Sequence, residues 1–541
     1  MKTKSYLPIL LLITTFVISG CGTKREKSSF VPSKPEESSV SSISSAETTS
    51  SLETTSNPVS SSIENVSSVA VSSKESSSIQ LAESSSAQPS SSIQESSSIA
   101  PSSSELPPAP EYLKKDVVVQ LDASLRYNED KTPYDLTFAY DDELFLTDAK
   151  VYNKDLSMLS FAASIATANK TRGDAFFSEL QFNDVVTHDY DKEPTEDTMG
   201  YYMAHKTIDN YELITVAFRG FEYQKEWANN FIIGKTGDHE GFSARAAEAH
   251  AALKEYIDTY LQDKELKLWI NGYSRAGALS NSLSNLILQD HEIPITLENM
   301  FVYTFEAPAS LCEENIVPYE NIHNINNEAD LITFVPPESY GLKRFGIDYP
   351  IYDINVDTLV KEFDEHIDIP RFQSIESLTH ERTNSDTDVR DYVLNQIFNK
   401  EVDEYTSEDV YANTREQYVD NYQDGLSSSI GYVFALTPET RSALLNDFSN
   451  LGFSALLIIS DKTGASFKDF LTPYLDQDGI AYDDDELLAD CAIFIKAAQN
   501  LFMSILLMYS NDEYKGSITR LIDMHYPETT YVLLKHAHEK E

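Results

Sequence analysis

Short apolar runs alternate with longer amphipathic segments through the middle of this 541-residue chain. The apolar runs predict four buried strands, at Tyr211–Gly220, Leu266–Gly272, Met300–Phe305 and Ile322–Asn326. Between them, Phe242–Leu261 and Arg275–Asp290 repeat apolar residues every three or four positions, which is typical of helices that cover a core. Strands that alternate with helices predict an α/β fold with a mostly parallel sheet covered on both faces.

The segment WINGYSRAGALS, at Trp269–Ser280, places Ser274 between the second predicted strand and the helix that follows it. In α/β folds, ligands bind at this edge of the sheet. Gly272, Ala276 and Gly277 are small, as a tight turn that exposes a serine requires, and the helix N-terminus directs N–H groups at an oxyanion formed there. Ser274 is therefore a candidate nucleophile. The alternative is an ordinary turn in which the serine only caps the helix.

A serine nucleophile needs a base, and the base needs a carboxylate that orients it. Asp330 follows the fourth predicted strand and is the expected acid, with Glu328 as the fallback. His525 precedes the last helical stretch and is the expected base. The remaining downstream histidines are expected to be surface or hydrogen-bonded core residues: His291, His323, His366, His380, His536 and His538.

A series of motifs in this part of the chain resembles the lipase class 3 family. In chain order they are VAFRG, Trp227, HEGF, NGYSRAG, VYTFEAP and NEADLITFVPP. The later segment MHYPETTY resembles the one that carries the catalytic histidine in bacterial members. The resemblance implies an α/β-hydrolase fold and activity on acylglycerols and related esters. It also implies Ser274 as nucleophile, Asp330 as acid and His525 as base.

Three features depart from the family pattern. Phe221 stands where members with a side-chain oxyanion donor carry Ser or Thr, so the oxyanion hole is expected to use the backbone N–H groups of Phe221 and Arg275. One missing donor removes about 3 kcal/mol of transition-state stabilisation. Glu306 replaces the glycine of the YTFG motif and adds a carboxyl group near the site. The third departure is the long separation of acid and base. Together they indicate either an unusual substrate or lost activity.

The long segment between acid and base, residues 347–513, has a mostly helical pattern and predicts a cap over the active site. Within it Glu486–Tyr509 is apolar nearly all round, but Asp490, Lys496 and Gln499 interrupt it, so no membrane span is expected. The apolar faces of the cap are expected either to line an acyl pocket or to pack against one another. The core is expected at residues 111–346, completed by a C-terminal segment, 514–541, that carries His525.

The first residues of the chain have the features of a secretory signal. Positive charge in MKTK precedes a short apolar run, and small residues stand before Cys21. The arrangement resembles the lipobox of bacterial lipoproteins, which implies removal of residues 1–20 and a lipid on Cys21. Residues 21–110 are rich in serine and poor in aromatic residues, so they predict a disordered tether. The expected location is the outer face of the bacterial cytoplasmic membrane.

The net charge of −46 repels nucleic acid and anionic lipid surfaces and favours a neutral substrate. No metal or other cofactor is expected, since the sequence has neither paired Cys/His spacing nor a Gly-rich phosphate loop. In the acidic loop Asp476–Glu486, Tyr474 stands at the first position of an EF-hand alignment, so a solvated loop is favoured over a calcium site. The spacing of Cys312 and Cys491 leaves their pairing open, as it does the oligomeric state, although Cys491 lies in an apolar stretch typical of a core thiol.

These features predict an exported, lipid-anchored serine hydrolase of the lipase or esterase type, which cleaves carboxylic esters through an acyl-enzyme. The expected partners are an ester or lipid substrate and, through the anchor, a membrane. Two alternatives remain. One is a non-catalytic surface protein that binds a ligand on a hydrolase scaffold, because a fold does not guarantee its chemistry. The other is an acyltransferase or deacetylase that acts on surface polysaccharide.

Overall fold

The structure, a computed structural model, describes residues 111–121, 133–192, 195, 198–220, 224–315, 317–351, 390–391, 394, 414–451, 454–509 and 523–536. These residues belong to one compact unit. The predicted signal peptide, the lipidated Cys21 and the tether lie outside the described residues. So do Phe221 and most of the first half of the predicted cap.

A seven-stranded sheet forms the centre of this unit, in the order β11, β9, β7, β6, β5, β4 and β3. Along the chain the strands are β1 (Lys114–Leu121), β2 (Tyr134–Asp141), β3 (Asn183–His188), β4 (Tyr201–Ile208), β5 (Tyr211–Phe218), β6 (Glu265–Tyr273), β7 (Met300–Phe305), β8 (Leu311–Cys312), β9 (Ile322–Asn327), β10 (Leu342–Lys343) and β11 (Ile347–Ile351). Neighbours from β5 to β11 run parallel, whereas β3, β4 and β5 pair antiparallel. The prediction of a mostly parallel sheet is therefore confirmed, with its four strands as β5, β6, β7 and β9.

The last strand of the sheet lies beyond the predicted end of the core. β11 pairs in parallel with β9, from Ile347 opposite His323 to Ile351 opposite Asn327. The predicted boundary at residue 346 therefore falls too early, because it cuts this edge strand from the sheet. Its residues alternate between partly buried and exposed up to the buried Ile351, and Pro350 is among them, which suits an edge position and gives a weaker apolar signal than the central strands.

Helices cover both faces of the sheet. The α-helices are α1 (Lys154–Ala166), α2 (Lys170–Glu179), α3 (Glu240–Tyr260), α4 (Arg275–Asp290), α5 (Arg415–Tyr418), α6 (Asp424–Ala435), α7 (Pro438–Asn450), α8 (Ala455–Ser460), α9 (Ala465–Asp478), α10 (Asp484–Tyr509) and α11 (Pro527–His536). Side chains alternate along β6, so Trp269 and Tyr273 join one core with α1 and α11. Leu268 and Ile270 join a second core with α3 and α4. The two helices predicted between the strands are confirmed as α3 and α4.

The described part of the predicted insertion consists of α5 to α10. α6 packs against α10 and against a short 3₁₀ helix, Gln224–Phe231, that follows β5. Neither cysteine of the described chain is in a disulfide, and Cys491, on α10, is buried as predicted, which raises its pKa to about 12. Among the helices that the structure describes, none has the length and apolar character needed to cross a bilayer.

Candidate active site

Ser274 occupies the sharp turn between β6 and α4. Its backbone has φ 58° and ψ −126°, a conformation that residues with a side chain rarely adopt. Its N–H donates to the carbonyl oxygen of Phe305 on β7 at 2.7 Å. Position 272 has to be glycine, because an added Cβ would lie 2.3 Å from the carbonyl oxygen of Ala276. The turn thus has the tight, strained geometry that presents a serine side chain at the edge of a sheet.

Three side chains from distant parts of the chain meet at this edge. The Oγ atom of Ser274 lies 2.8 Å from Nε2 of His525. The other ring nitrogen of His525, Nδ1, lies 2.5 Å from Oδ2 of Asp330. Asp330 is fully buried, and its second oxygen, Oδ1, accepts the N–H of Ile332 at 2.9 Å. The structure therefore brings together the three residues that the sequence singled out, in the order needed to pass a proton from serine to histidine.

The segment that carries His525 is fixed to the sheet from two sides. The hydroxyl of Tyr273, next to Ser274, donates to the carbonyl oxygen of His525 at 2.7 Å. The side-chain amide of Asn327, at the end of β9, donates to the carbonyl oxygen of Met524 at 3.1 Å. Behind this segment, α11 packs its Tyr531 ring on Phe138 and Phe161. The position of the imidazole is thus set by contacts more than 190 residues apart in sequence.

The other candidates for acid and base lie elsewhere. Glu328 is only partly buried, and it is Asp330 that contacts His525. His323 is buried in the sheet, with Nε2 3.0 Å from the carbonyl oxygen of Ala149, as expected of a core histidine. His291 is exposed at the C-terminal end of α4. His366, His380 and His538 lie outside the described residues, and His536 ends α11.

One half of the predicted oxyanion hole is described. Arg275 is the first residue of α4, so its backbone N–H lies in the unpaired first turn of that helix, directly after Ser274. The other predicted donor, Phe221, lies outside the described residues. The helix N-terminus supplies positive potential at this point, which suits a negative charge that forms beside Ser274.

The side chain of Arg275 belongs to a buried ion cluster that sequence analysis missed. Its Nη1 atom donates to Oε2 of Glu226 at 2.7 Å, and Nη2 of Arg219 donates to the other oxygen of that carboxylate. All three side chains are almost completely buried, and burial lowers the pKa of Arg275. Because Glu226 lies in the 3₁₀ helix, the cluster ties that helix to the nucleophile turn. The available signal was Arg219 itself, a charged residue at the end of an apolar strand.

Glu306 is a second buried carboxyl at the site. It follows β7, has a positive φ of 49° and is fully buried. Oε2 accepts the N–H of Asn327 at 2.8 Å, and Oε1 accepts the hydroxyl of Thr530 at 2.9 Å. Its carboxyl also lies within hydrogen-bonding reach of the Asp330 carboxyl. Burial and the charge of Asp330 raise the pKa of Glu306 well above its usual value.

Side chains of the insertion form hydrogen bonds with the backbone of the segment that follows β5. The guanidinium of Arg415, on α5, donates to five carbonyl oxygens between Ile233 and Asp238 at 2.5 to 3.3 Å. The Oε1 atom of Gln423 accepts the N–H of Gly234 at 2.9 Å, and Ser427 donates to the carbonyl of Ala228 at 3.2 Å. The insertion helices therefore pack on the same segment that the ion cluster ties to the nucleophile turn.

Comparison with known proteins relates part of the chain to fungal lipases. No protein-family model matches the chain. A lipase of Rhizomucor miehei is 25% identical over 167 residues, which cover 28% of this chain and 45% of the fungal protein. The chain thus spans a little under half of the length of this curated relative.

Solved lipase structures also align with part of the chain. The native propeptide complex of Rhizomucor miehei lipase aligns at 18% identity and a TM-score of 0.29, over 37% of this chain and 68% of its own. A lipase of Rhizopus microsporus var. chinensis aligns at 14% identity and a TM-score of 0.28, over 38% and 77%. The mostly parallel sheet and the strand-to-helix turn at Ser274 give the chain the fold of a lipase-like α/β-hydrolase.

Proposed function

We propose that the protein is a serine hydrolase that cleaves carboxylic esters, of the kind found in class 3 lipases. The observation that carries the proposal is the contact chain from Ser274 Oγ through the His525 ring to the buried Asp330 carboxylate, with links of 2.8 and 2.5 Å. An ordinary helix-capping serine would not need an imidazole and a buried carboxylate behind it. The partial similarity to a fungal lipase supports the same chemistry.

The reaction follows from these contacts. Nε2 of His525 takes the proton of Ser274 as Oγ attacks the ester carbonyl carbon, while Asp330 orients the ring through Nδ1 and stabilises its charged form. The backbone N–H groups of Arg275 and Phe221 hold the oxyanion of the tetrahedral intermediate. When the intermediate collapses, His525 returns the proton to the leaving alkoxide and an acyl-enzyme remains. Water, activated by His525, then releases the acid and restores Ser274.

The substrate is proposed to be a neutral ester with an apolar acyl group. The chain's net charge of −46 disfavours anionic substrates. α6 packs on the segment after β5 that lies beside the nucleophile turn, and the Trp227 ring lies 6.3 Å from that of Phe434 on α6. This apolar contact between insertion and core is where we place the acyl pocket, under the cap.

The protein is further proposed to work outside the cell, attached by a lipid on Cys21 and held off the membrane by residues 21–110. The support is the order of positive charge, apolar run and small residues before that cysteine. Metabolic labelling with a palmitate analogue tests it: label and membrane fractionation are expected in wild type and lost in Cys21→Ala. Unlabelled, soluble wild-type protein would overturn the lipid anchor without bearing on the hydrolase.

The hydrolase is tested with nitrophenyl esters of increasing acyl length. Wild-type protein is expected to release nitrophenol, and Ser274→Ala is expected to lose this activity while it stays folded. Ser280→Ala is the matched control, because Ser280 is buried on the same helix and its hydroxyl makes no hydrogen bond in the described structure. Loss in both variants, or in neither, contradicts the assignment. Added alcohol acceptors separate hydrolysis from acyl transfer in the products.

A further inference from the structure

Glu306 combines two destabilising features at one position. A residue other than glycine at φ 49° has a strained backbone. A carboxyl group that is fully buried carries a desolvation penalty as well. A backbone outlier of this kind is a reason to look for function, and glycine would remove both penalties. The side chain must therefore make contacts that offset them.

Those contacts connect the acid loop with the segment that carries the base. On the acid loop, Asn327 N–H donates to Oε2 of Glu306 at 2.8 Å, and the Asp330 carboxyl lies within hydrogen-bonding reach. On the C-terminal segment, Thr530 donates to Oε1 at 2.9 Å, and its hydroxyl lies 3.1 Å from that of Tyr273. Both oxygens of Glu306 thus already accept one hydrogen bond, and the remaining neighbour is a second carboxyl.

Two buried carboxyl groups at hydrogen-bonding distance cannot both be ionised, so one of them holds a proton. Each oxygen of Asp330 already has a hydrogen-bond partner, His525 Nδ1 at 2.5 Å from Oδ2 and the N–H of Ile332 at 2.9 Å from Oδ1. Burial and the charge of Asp330 raise the pKa of Glu306 far above its usual 4.5. The proton therefore resides on Glu306.

Other titratable groups around the pair are few in the described structure. Burial raises the pKa of Tyr273 well above its usual value, so its hydroxyl stays neutral. His525 faces Asp330 from the C-terminal segment. The only partner of opposite charge that the described contacts show for Glu306 and Asp330 is thus the imidazolium that forms during the reaction.

We propose that Glu306 is a positioning residue of the triad: a neutral carboxylic acid that donates its proton to Asp330 and ties the acid loop to the segment of His525. This inference rests on the proposed hydrolase function. The hydrogen bond from Glu306 holds the Asp330 carboxylate in place and leaves a single negative charge behind the imidazole. Because Glu306 does not contact the substrate, its substitution is expected to lower kcat and to leave KM unchanged.

The first test compares Glu306→Met with Glu306→Gln in kinetics on a nitrophenyl ester. Methionine matches the chain length without donor or acceptor, and we expect kcat to fall at least about tenfold with KM unchanged. Glutamine can donate to Asp330 and accept from Asn327, so most of the lost kcat returns.

The midpoint of the acid limb of kcat/KM moves by less than about 0.3 pH unit in Glu306→Gln, because a neutral group replaces a neutral group. A fall of about one unit would mean that Glu306 is charged and would overturn the proposal. So would wild-type kcat in Glu306→Met.

The second test needs no catalysis. The folded protein keeps the Glu306 proton that the unfolded chain releases above pH 4.5, so wild type loses stability as pH rises through this range. Above pH 4.5 we expect the unfolding equilibrium constant of wild type to rise with pH more steeply than that of Glu306→Gln. The difference is about a factor of ten per pH unit. Equal pH dependence in wild type and Glu306→Gln would show that Glu306 is ionised and would contradict the proposal. Failure of the hydrolase itself is separate, because wild type would then leave Ser274 unlabelled by a fluorophosphonate whatever the slopes.

Discussion

The guanidinium of Arg275 donates to the carboxylate of Glu226 at 2.7 Å, inside the protein, one residue after the candidate nucleophile. Arg219 donates to the same carboxylate, so one anion is shared by two buried cations. The contact links the turn that presents Ser274 to the 3₁₀ helix Gln224–Phe231, on which the insertion packs. The position of the Arg275 backbone N–H, the predicted oxyanion donor, therefore depends on a buried ion cluster. That cluster does not have to contact the substrate.

Glu226→Gln is expected to destabilise the fold strongly. The substitution removes the buried anion that Arg275 and Arg219 share, and breaking a buried ion pair typically costs about 3–5 kcal/mol. Denaturant unfolding measures the change. Glu248→Gln is the control, because Glu248 pairs with Arg245 near the surface at 2.8 Å and should matter by less than about 1 kcal/mol. Similar small losses of unfolding free energy in both variants would show that the buried cluster stabilises the fold no more than a surface ion pair does.

Gly272→Ala is expected to damage both the fold and the activity. The new methyl group would lie 2.3 Å from the carbonyl oxygen of Ala276, so the turn must shift. Overpacking typically costs about 1–3 kcal/mol, and a displacement of about 1 Å at a reacting group lowers the rate about 10²-fold. Gly431→Ala, in α6, is the control, because its Cβ would meet nothing within 4 Å. A Gly272→Ala variant as active as this control would contradict the turn geometry.

His239 is expected to make the protein sensitive to acid. Burial lowers its pKa to about 3 from the usual 6.5, so the unfolded chain takes up a proton below pH 6.5 that the folded one refuses. The free energy of unfolding then falls by up to about 1.4 kcal/mol per pH unit between those values. In His239→Phe, which keeps a ring against Phe242, this contribution should vanish. Parallel stability curves for the two proteins would refute a neutral buried His239.

Asp330→Asn is expected to lower kcat by about 10³- to 10⁴-fold with little change in KM. An amide in place of the carboxylate no longer holds the Nδ1–H tautomer of His525 or stabilises its charged form. Glu328→Gln, two residues away on the same loop, should retain activity because it is the Asp330 carboxylate that contacts His525. Comparable kcat in Asp330→Asn and wild type would assign the acid to another residue.

The sequence predicted the parts of this molecule that local pattern controls. The four central strands, α3, α4 and the turn at Ser274 follow from apolar runs and small residues, and each is where it was expected. The convergence of Asp330 and His525 came instead from the order of motifs, because no local pattern can place two residues 195 positions apart in contact.

The features that the sequence did not predict depend on burial by residues that are far apart in the chain. Glu306 looked like an added charge near the site, and only its enclosure by Asn327, Thr530 and Asp330 indicates a protonated acid. Glu226 lies in a segment with no clear period, so its pairing with two arginines could not be read in advance. The edge strand β11 was assigned to the insertion because its alternating pattern is weak and includes a proline.

The proposed reaction requires Ser274 to be an activated nucleophile. Incubation of the folded protein with a fluorophosphonate, followed by intact-mass measurement and peptide mapping, tests it. We expect one adduct per chain, on Ser274, that is absent in Ser274→Ala and forms far more slowly in His525→Ala. Folded wild-type protein that stays unlabelled, or carries its adduct on a different serine, would contradict it.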